Sequence, residues 1–372
     1  MAVDSSIQRI ARLTPLGDVL ALVERRVGAV SPRRCALAAA LGRVLAEDVA
    51  VPQLPPRPIA LRDGFAVEAA AIADAGAYAP VPLPIRSRRI DAGEPLPEGA
   101  DAVLPLDAVA LRGDRAEAVG SIAPGEGMLM AGGDASAQTP LRRAGEKLRN
   151  LDVAVMAAAG VTEVTVREPR ILLACGSAAK TTPPLDAALA MLARTAAAAG
   201  AAGATAACSL DEALADLDAD AVIGIGGTGS GRRDGSVRAL AQLGHVEAHG
   251  IAVSPGETAA FGLCGARPVL LVPGRLDAAL AIWLLLGRHL VARLAGGSVE
   301  DAPAMLPLAR KVASTIGLVE LIPVRCAGAM AEPLASGYLS FTSLARSDGW
   351  IVIPADSEGF GAATPVAVRP WP

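Results

Sequence analysis

The chain has 372 residues, a net charge of −4 and only 2% aromatic side chains. That length exceeds what one core usually supports, so two to four domains are expected, and the charge supplies no basic field for nucleic acid or anionic lipid. Asp4, Arg9 and Arg12 interrupt any secretory segment, the longest apolar run (Ala278 to Leu286) is too short to span a bilayer, and the five cysteines are scattered singly, so a cytoplasmic protein without membrane contact, disulfide framework or zinc set is expected.

The first fifty residues read as helical. Leu16, Val19, Leu20 and Val23 recur at helical spacing, and Ser31-Pro32 starts a second predicted helix from Cys35 to Leu45. Val51 to Pro58 is proline-rich and excludes a central helix or strand. Short apolar stretches broken by Pro and Gly then run to about Ala135, the texture of a small β domain. Asn150 to Gly160 is helical, with Gly160 as its C-cap. Strands and helices then alternate: a strand from Arg170, a helix from Leu185 to Ala199, a strand from Asp220 to Ile225, a helix from Val237 to Leu243, a strand from Pro268, and a helix from Leu276 to Leu294. Such alternation implies a parallel sheet covered on both faces, with ligands at the C-terminal strand ends. Between them, His245 and His249 are bracketed by glycines and read as a surface loop or strand rather than a metal pair. From about Asp301 the pattern is β again, a separate small barrel or sandwich.

Three glycine turns follow strands, at Gly176, at Gly226 to Gly231 and at Gly274, and would gather on one sheet edge. The second, Gly226-Gly-Thr-Gly-Ser-Gly-Arg-Arg-Asp234, leaves amide N–H groups free to hold an anion near a helix N-terminus. It lacks the Gly-Lys-Ser/Thr of a Walker A loop, and a bare turn remains the alternative.

Segment order and motifs together resemble the molybdopterin molybdotransferase family, the MoeA proteins and the E domain of gephyrin. The family's Met-Asp-Gly-Tyr-Ala-Val is similar to Arg62-Asp63-Gly64-Phe65-Ala66-Val67. Its Gly-x-Pro-x-Pro-Glu-Gly-Ala-Asp-Ala-Val stands nearly intact at Gly93 to Val103, and its C-terminal signature is similar to Ser343 to Pro354. The resemblance implies an α/β plus β multidomain fold. Its expected parts are a discontinuous helical linker domain (1–50 and 137–168), a β-rich insertion (51–136), a three-layer molybdopterin-binding α/β domain (169–300) and a small C-terminal β-barrel domain (301–372). It also implies a homodimer, a pterin ligand (molybdopterin or adenylated molybdopterin), molybdate, Mg²⁺, and a client molybdoenzyme or another cofactor-synthesis protein as partner.

Carried onto this sequence, the cofactor-binding positions are Gly176, Ser177, Gly226, Gly227, Thr228, Gly229, Ser230, Gly231, Arg232, Pro273, Gly274 and Arg275. Asp63, Asp134 and Asp234 are the residual candidate acids, with Asp234 the candidate metal ligand; an Asx-type turn for Asp63 and a helix cap for Asp234 are the alternative roles, and Asp101, inside an apolar stretch, reads as a structural hydrogen-bond acceptor. Other ionic positions depart from the family pattern. Pro58 to Leu61 replaces Asp-Asn-Ser-Ala, Gly127 to Ala131 has lost the family's arginines, and Ala178 and Ala179 replace two acids. Ser254 and Glu257 replace two lysines, and Arg275 stands in Pro-Gly-Asn. Weak or lost molybdate insertion is therefore expected, or a carrier, sensor or insertion partner that keeps the pterin pocket.

Overall fold

The computed structural model describes residues 8–85, 87–113, 115–176, 182–299 and 301–372. It divides into two compact units, Met1–Glu47, Ala144–Val153 and Glu163–Pro372 in the larger, Asp48–Arg143 and Ala154–Thr162 in the smaller.

In the larger unit the Leu16–Arg26 helix buries Leu16, Val19 and Val23, three members of the predicted stripe. The second predicted helix does not form. Arg33–Ala36 and Val44–Leu45 are strands on either side of Glu163–Arg167, separated by a short 3₁₀ turn at Leu37–Ala39. Alanine's helical preference is worth only tenths of a kcal/mol per residue, about 0.7 at most over ordinary residues, and here the ladder to Glu163–Arg167 prevails.

The centre of this unit is a six-stranded sheet in the order Ala202–Ser209, Arg170–Cys175, Ala221–Ile225, Arg267–Val272, Ala260–Cys264, His245–His249. The first four strands are parallel, and Ala260–Cys264 alone runs opposite to the rest, pairing antiparallel with both of its neighbours, which corrects the wholly parallel expectation. Alternate side chains divide between two apolar layers. Ile171, Leu173, Ile223, Ile225, Leu270 and Val272 pack with the Leu16–Arg26, Pro183–Ala198 and Leu276–Ala295 helices. Ala174, Val222, Val269 and Leu271 pack with Leu210 and Leu214 and with Val237 and Leu240. Sheet and two helical layers thus form the expected three-layer sandwich. The Leu276–Ala295 helix is long and apolar enough to cross a membrane, yet 78% of its apolar window is buried within this fold.

C-terminal strands form a sheet, Val253–Ser254, Val319–Ala327, Gly349–Ile353, Pro365–Pro370, Ala304–Pro307, with Met330–Pro333 also paired to Val319–Ala327, around its own core of Ile322, Val324, Ile351 and Ile353. Just past Ala304–Pro307 a bridge between Leu308 and Ala331, with Ala309 N–H donating to Ala331 O at 2.8 Å, links that strand to Met330–Pro333 at the other end of the sheet.

The smaller unit is built from short antiparallel ladders. Two of the family-like motifs pair with each other there: Gly64–Val67 runs against Ala102–Pro105, with Gly64 opposite Pro105 and Ala66 opposite Val103. A Cβ on Gly64 would collide with the Leu104 carbonyl, so the motif's glycine is required by strand contact. The Asn150–Ala158 helix ends as predicted at Gly160, where Val161 N–H donates to Met156 O and Gly160 N–H to Ala157 O.

Candidate functional site

Three parallel strands end level with one another, Cys175 beside Ile225 and Ile225 beside Val272. Beyond those ends the chain turns on glycine. Gly176 N–H donates to Ile225 O and Gly226 N–H to Val272 O, both at 2.8 Å. A Cβ on Gly176 would overlap the Gly226 carbonyl, and one on Gly274 would lie 3.3 Å from Gly226 Cα. The three predicted turns are therefore in direct backbone contact, with no room for a side chain at Gly176 and little at Gly274.

From Gly226 the loop reverses with φ of 87° at Gly226 and 69° at Gly227. Its carbonyls are each held from behind. Ser236 Oγ donates to Gly226 O at 2.7 Å, Ser236 N–H and Gln8 Nε2 to Gly227 O at 3.0 and 2.7 Å, and Gln8 Nε2 again to Gly229 O at 2.8 Å. His249 Nε2 lies 3.1 Å from Thr228 O, a contact that requires the Nε2–H tautomer. In a trans peptide the next N–H points opposite to the carbonyl. Pinning the carbonyls of Gly226, Gly227, Thr228 and Gly229 therefore turns the N–H groups of Gly227, Thr228, Gly229 and Ser230 away from those holders. Among the described residues none of these four amides has a recorded acceptor. Consecutive amides without acceptors just ahead of the Ser236–Leu243 helix have the chemistry that an anion requires.

Asp234 closes this loop. Its Oδ2 accepts from Gly231 N–H at 2.8 Å, and a Cβ on Gly229 would lie 2.8 Å from the same oxygen. Gly229 itself is outside the left-handed region, so the positive-φ requirement falls on Gly226 and Gly227. Thr228 is buried, its hydroxyl 2.9 Å from that of Thr258. Ser230, Gly231 and Arg232 are exposed, and Arg232 has no recorded ion pair among the described residues. Ser177 lies outside the described residues. Burial, then Asp186, pushes the Cys175 thiol up, so it stands beside the first turn as an unreactive thiol.

Arg275, beside buried Pro273, is paired within its own turn. Its Nε donates to Asp277 Oδ1 at 3.1 Å, its Nη2 also reaches that carboxylate, and its guanidinium lies 4.8 Å from the Tyr338 ring centroid. Asp277 is 4% exposed and also accepts from Leu339 N–H, so the pair serves to neutralise a buried acid. In the smaller unit, Asp63 accepts from Ala92 N–H at 2.8 Å and Asp101 from Ala69 N–H at 2.7 Å, while Asp134 is exposed on a turn whose N–H reaches Leu54 O.

The comparisons with known proteins agree with this geometry. Family models match in chain order: "MoeA N-terminal region (domain I and II)" over residues 3–160, "Probable molybdopterin binding domain" over 181–293, and "MoeA C-terminal region (domain IV)" over 305–371. A molybdopterin biosynthesis MoeA protein from Pyrococcus horikoshii superposes with a TM-score of 0.74 at 25% identity, over 96% of this chain and 99% of its own. The chain belongs to the MoeA family. A molybdenum cofactor biosynthesis protein from Pyrococcus furiosus shares the fold at a TM-score of 0.60 and 19% identity, over 97% of this chain and all of its own. A molybdopterin biosynthesis protein of Methanocaldococcus jannaschii is 33% identical over 145 residues, 38% of this chain and about a third of that relative, 34%.

The ionic departures from the MoeA pattern have a physical place. Ser254 lines a cleft of about 320 Å³ together with Ser314, Thr315, Glu320 and Ser336. Hydroxyls and a carboxylate surround that space, and no lysine or arginine lines it, so it does not suit a molybdate dianion. Among the described residues no three His, Cys, Asp or Glu side chains cluster, so a Mg²⁺ here would rest on one or two carboxylates, water and the phosphates of a bound substrate.

Sequence reasoning missed Gln8 and His249 as parts of the site. His245 and His249 occupy one extended strand, where four residues span about 13 Å, too far for joint chelation.

Proposed function

We propose that this MoeA-family chain binds the phosphate-bearing pterin of molybdenum cofactor biosynthesis, molybdopterin or its adenylate, on the amides of Gly227 to Ser230. The observation that carries the reading is the row of pinned carbonyls, which fixes four consecutive peptides whose N–H groups have no acceptor among the described residues. A phosphate offers several acceptors to such a row, and exposed Arg232 adds a cation at its end. Gly226 and Gly227 let the backbone approach the ligand closely, and the contact among the three glycine turns keeps the floor rigid.

Molybdate transfer by this chain alone is weak or lost in this reading. Losing one preorganised charged group costs roughly 10²–10³-fold in rate, and Ser254 and Glu257 stand where the family places two lysines. The chain then serves as a pterin carrier, sensor or insertion partner.

Anaerobic calorimetry with molybdopterin released from a purified molybdoenzyme tests the binding claim. Wild type should bind one equivalent, and Gly227→Ala should weaken binding at least tenfold; equal affinity would make the loop merely structural. Incubation with adenylated molybdopterin, Mg²⁺ and molybdate should release little AMP, and rapid release would overturn the loss of transfer.

A further inference from the structure

Residues 8–14 run as a strap behind the glycine loop. Thr14 N–H donates to Gly250 O and Ala252 N–H to Thr14 O, both at 2.8 Å, fixing the strap beside the end of the His245–His249 strand. Gly250, at φ 89°, has no room for a Cβ because Ile10 and the Arg12 carbonyl press against it. At the far end of the strap the Gln8 carboxamide gives both of its donor bonds to the loop, one to Gly227 O and one to Gly229 O. Its Oε1 is buried, with no donor recorded among the described residues. An amide that sacrifices its acceptor in this way is placed for its N–H groups.

Those two carbonyls belong to the peptides whose N–H groups are Thr228 and Ser230, alternate members of the amide row. Releasing them lets each peptide plane rotate and carry its N–H out of the position in which the loop now holds it. We propose that Gln8 is a positioning residue for the loop, so that docking of the N-terminal strap and binding of the pterin phosphate favour each other. The inference rests on the pterin reading of the loop. Coupling of this kind is reciprocal: whatever affinity the docked strap adds to the ligand, the ligand adds to the docked strap.

The test uses the full chain with molybdopterin released from a purified molybdoenzyme. Gln8→Met keeps the length and removes both donors, and Gln8→Lys keeps a donor at the same reach. Two such hydrogen bonds correspond to a loss of about ten- to thirtyfold in affinity for Gln8→Met, with Gln8→Lys recovering part of it. Hydrogen exchange of residues 9–13 should slow when wild type binds the ligand and change little in Gln8→Met. Both variants should keep the wild-type unfolding midpoint within a few degrees. Unchanged affinity in Gln8→Met, or exchange in the strap that ignores the ligand, overturns the positioning role while leaving the pterin reading intact. Failure of wild type to bind the ligand overturns both.

Discussion

Substitution of Gly227 by alanine separates the two costs that the loop imposes on a side chain. At φ 69° any residue with a Cβ pays about 1–2 kcal/mol to sit in the left-handed region. The new methyl group would also overlap Ser236 Oγ. Ser236 is fully buried, and moving its hydroxyl breaks the 2.7 Å bond to Gly226 O, leaving a buried carbonyl unpaired at a further cost of about 1–3 kcal/mol. Together these predict a destabilisation of about 2–5 kcal/mol. Gly226 is the control. Its φ is 87°, but the nearest atom to an added Cβ is 3.8 Å away, so Gly226→Ala should cost only the conformational part, about 1–2 kcal/mol. Urea unfolding followed by tryptophan fluorescence reads this unit specifically, because Trp283, Trp350 and Trp371 all lie within Glu163–Pro372. Adding Ser236→Ala to Gly227→Ala removes the overlap, so the pair should cost less than the sum of the single changes. Equal midpoints for Gly226→Ala and Gly227→Ala, or strict additivity in the double variant, would refute the account.

Arg275→Ala should lower the stability of the larger unit by about 1–3 kcal/mol, since it strands the buried Asp277 carboxylate, while changing ligand affinity less than twofold; the same urea titration with calorimetry reads both. Burial pushes the Asp301 carboxyl up, but the hydrogen bonds and charges of Arg288 and Arg369 outweigh it and hold it below its ordinary value. Its stabilisation is therefore present above about pH 4, the unfolded value, and is lost as pH falls through the lower folded value. Asp301→Asn should flatten that acid-side decline in a series of urea midpoints between pH 2 and 5. His249→Ala should weaken molybdopterin binding severalfold by freeing the Thr228 carbonyl, whereas His249→Gln, which keeps a donor, should weaken it less; calorimetry distinguishes them. Expression of this chain in a host lacking its own molybdotransferase should leave molybdoenzyme activity unrestored at ordinary molybdate levels, and full rescue would contradict the reading of the Ser254 cleft.

The parts of the fold that were legible in the sequence are those with a strong local signal. The apolar runs at Ala221–Ile225 and Arg267–Val272, the stripe of Leu16, Val19 and Val23, and the Gly160 helix end all stand where their patterns placed them. The Ala202–Ser209 strand was missed because its alanines and glycine carry no strand signal, and its place is set by pairing with Arg170–Cys175. The Cys35 to Leu45 helix failed for the converse reason, local preference yielding to a partner 129 residues away, as in the Arg34–Glu163 contact. In the site, the glycine turns were legible because backbone geometry demands glycine. Gln8 and His249 were not, because each acts on the loop across a sequence distance that no local pattern reports.

The contact among Gly176, Gly226 and Gly274 has a consequence for how such a site can change over time. Its floor is made of main-chain atoms, and main-chain atoms are the one component that substitution does not alter. Charged residues around the rim can be exchanged one by one without disturbing the amide row, provided the three glycines stay. A receptacle of this construction tolerates exchange of the groups around it, and it leaves the rim free to acquire another task.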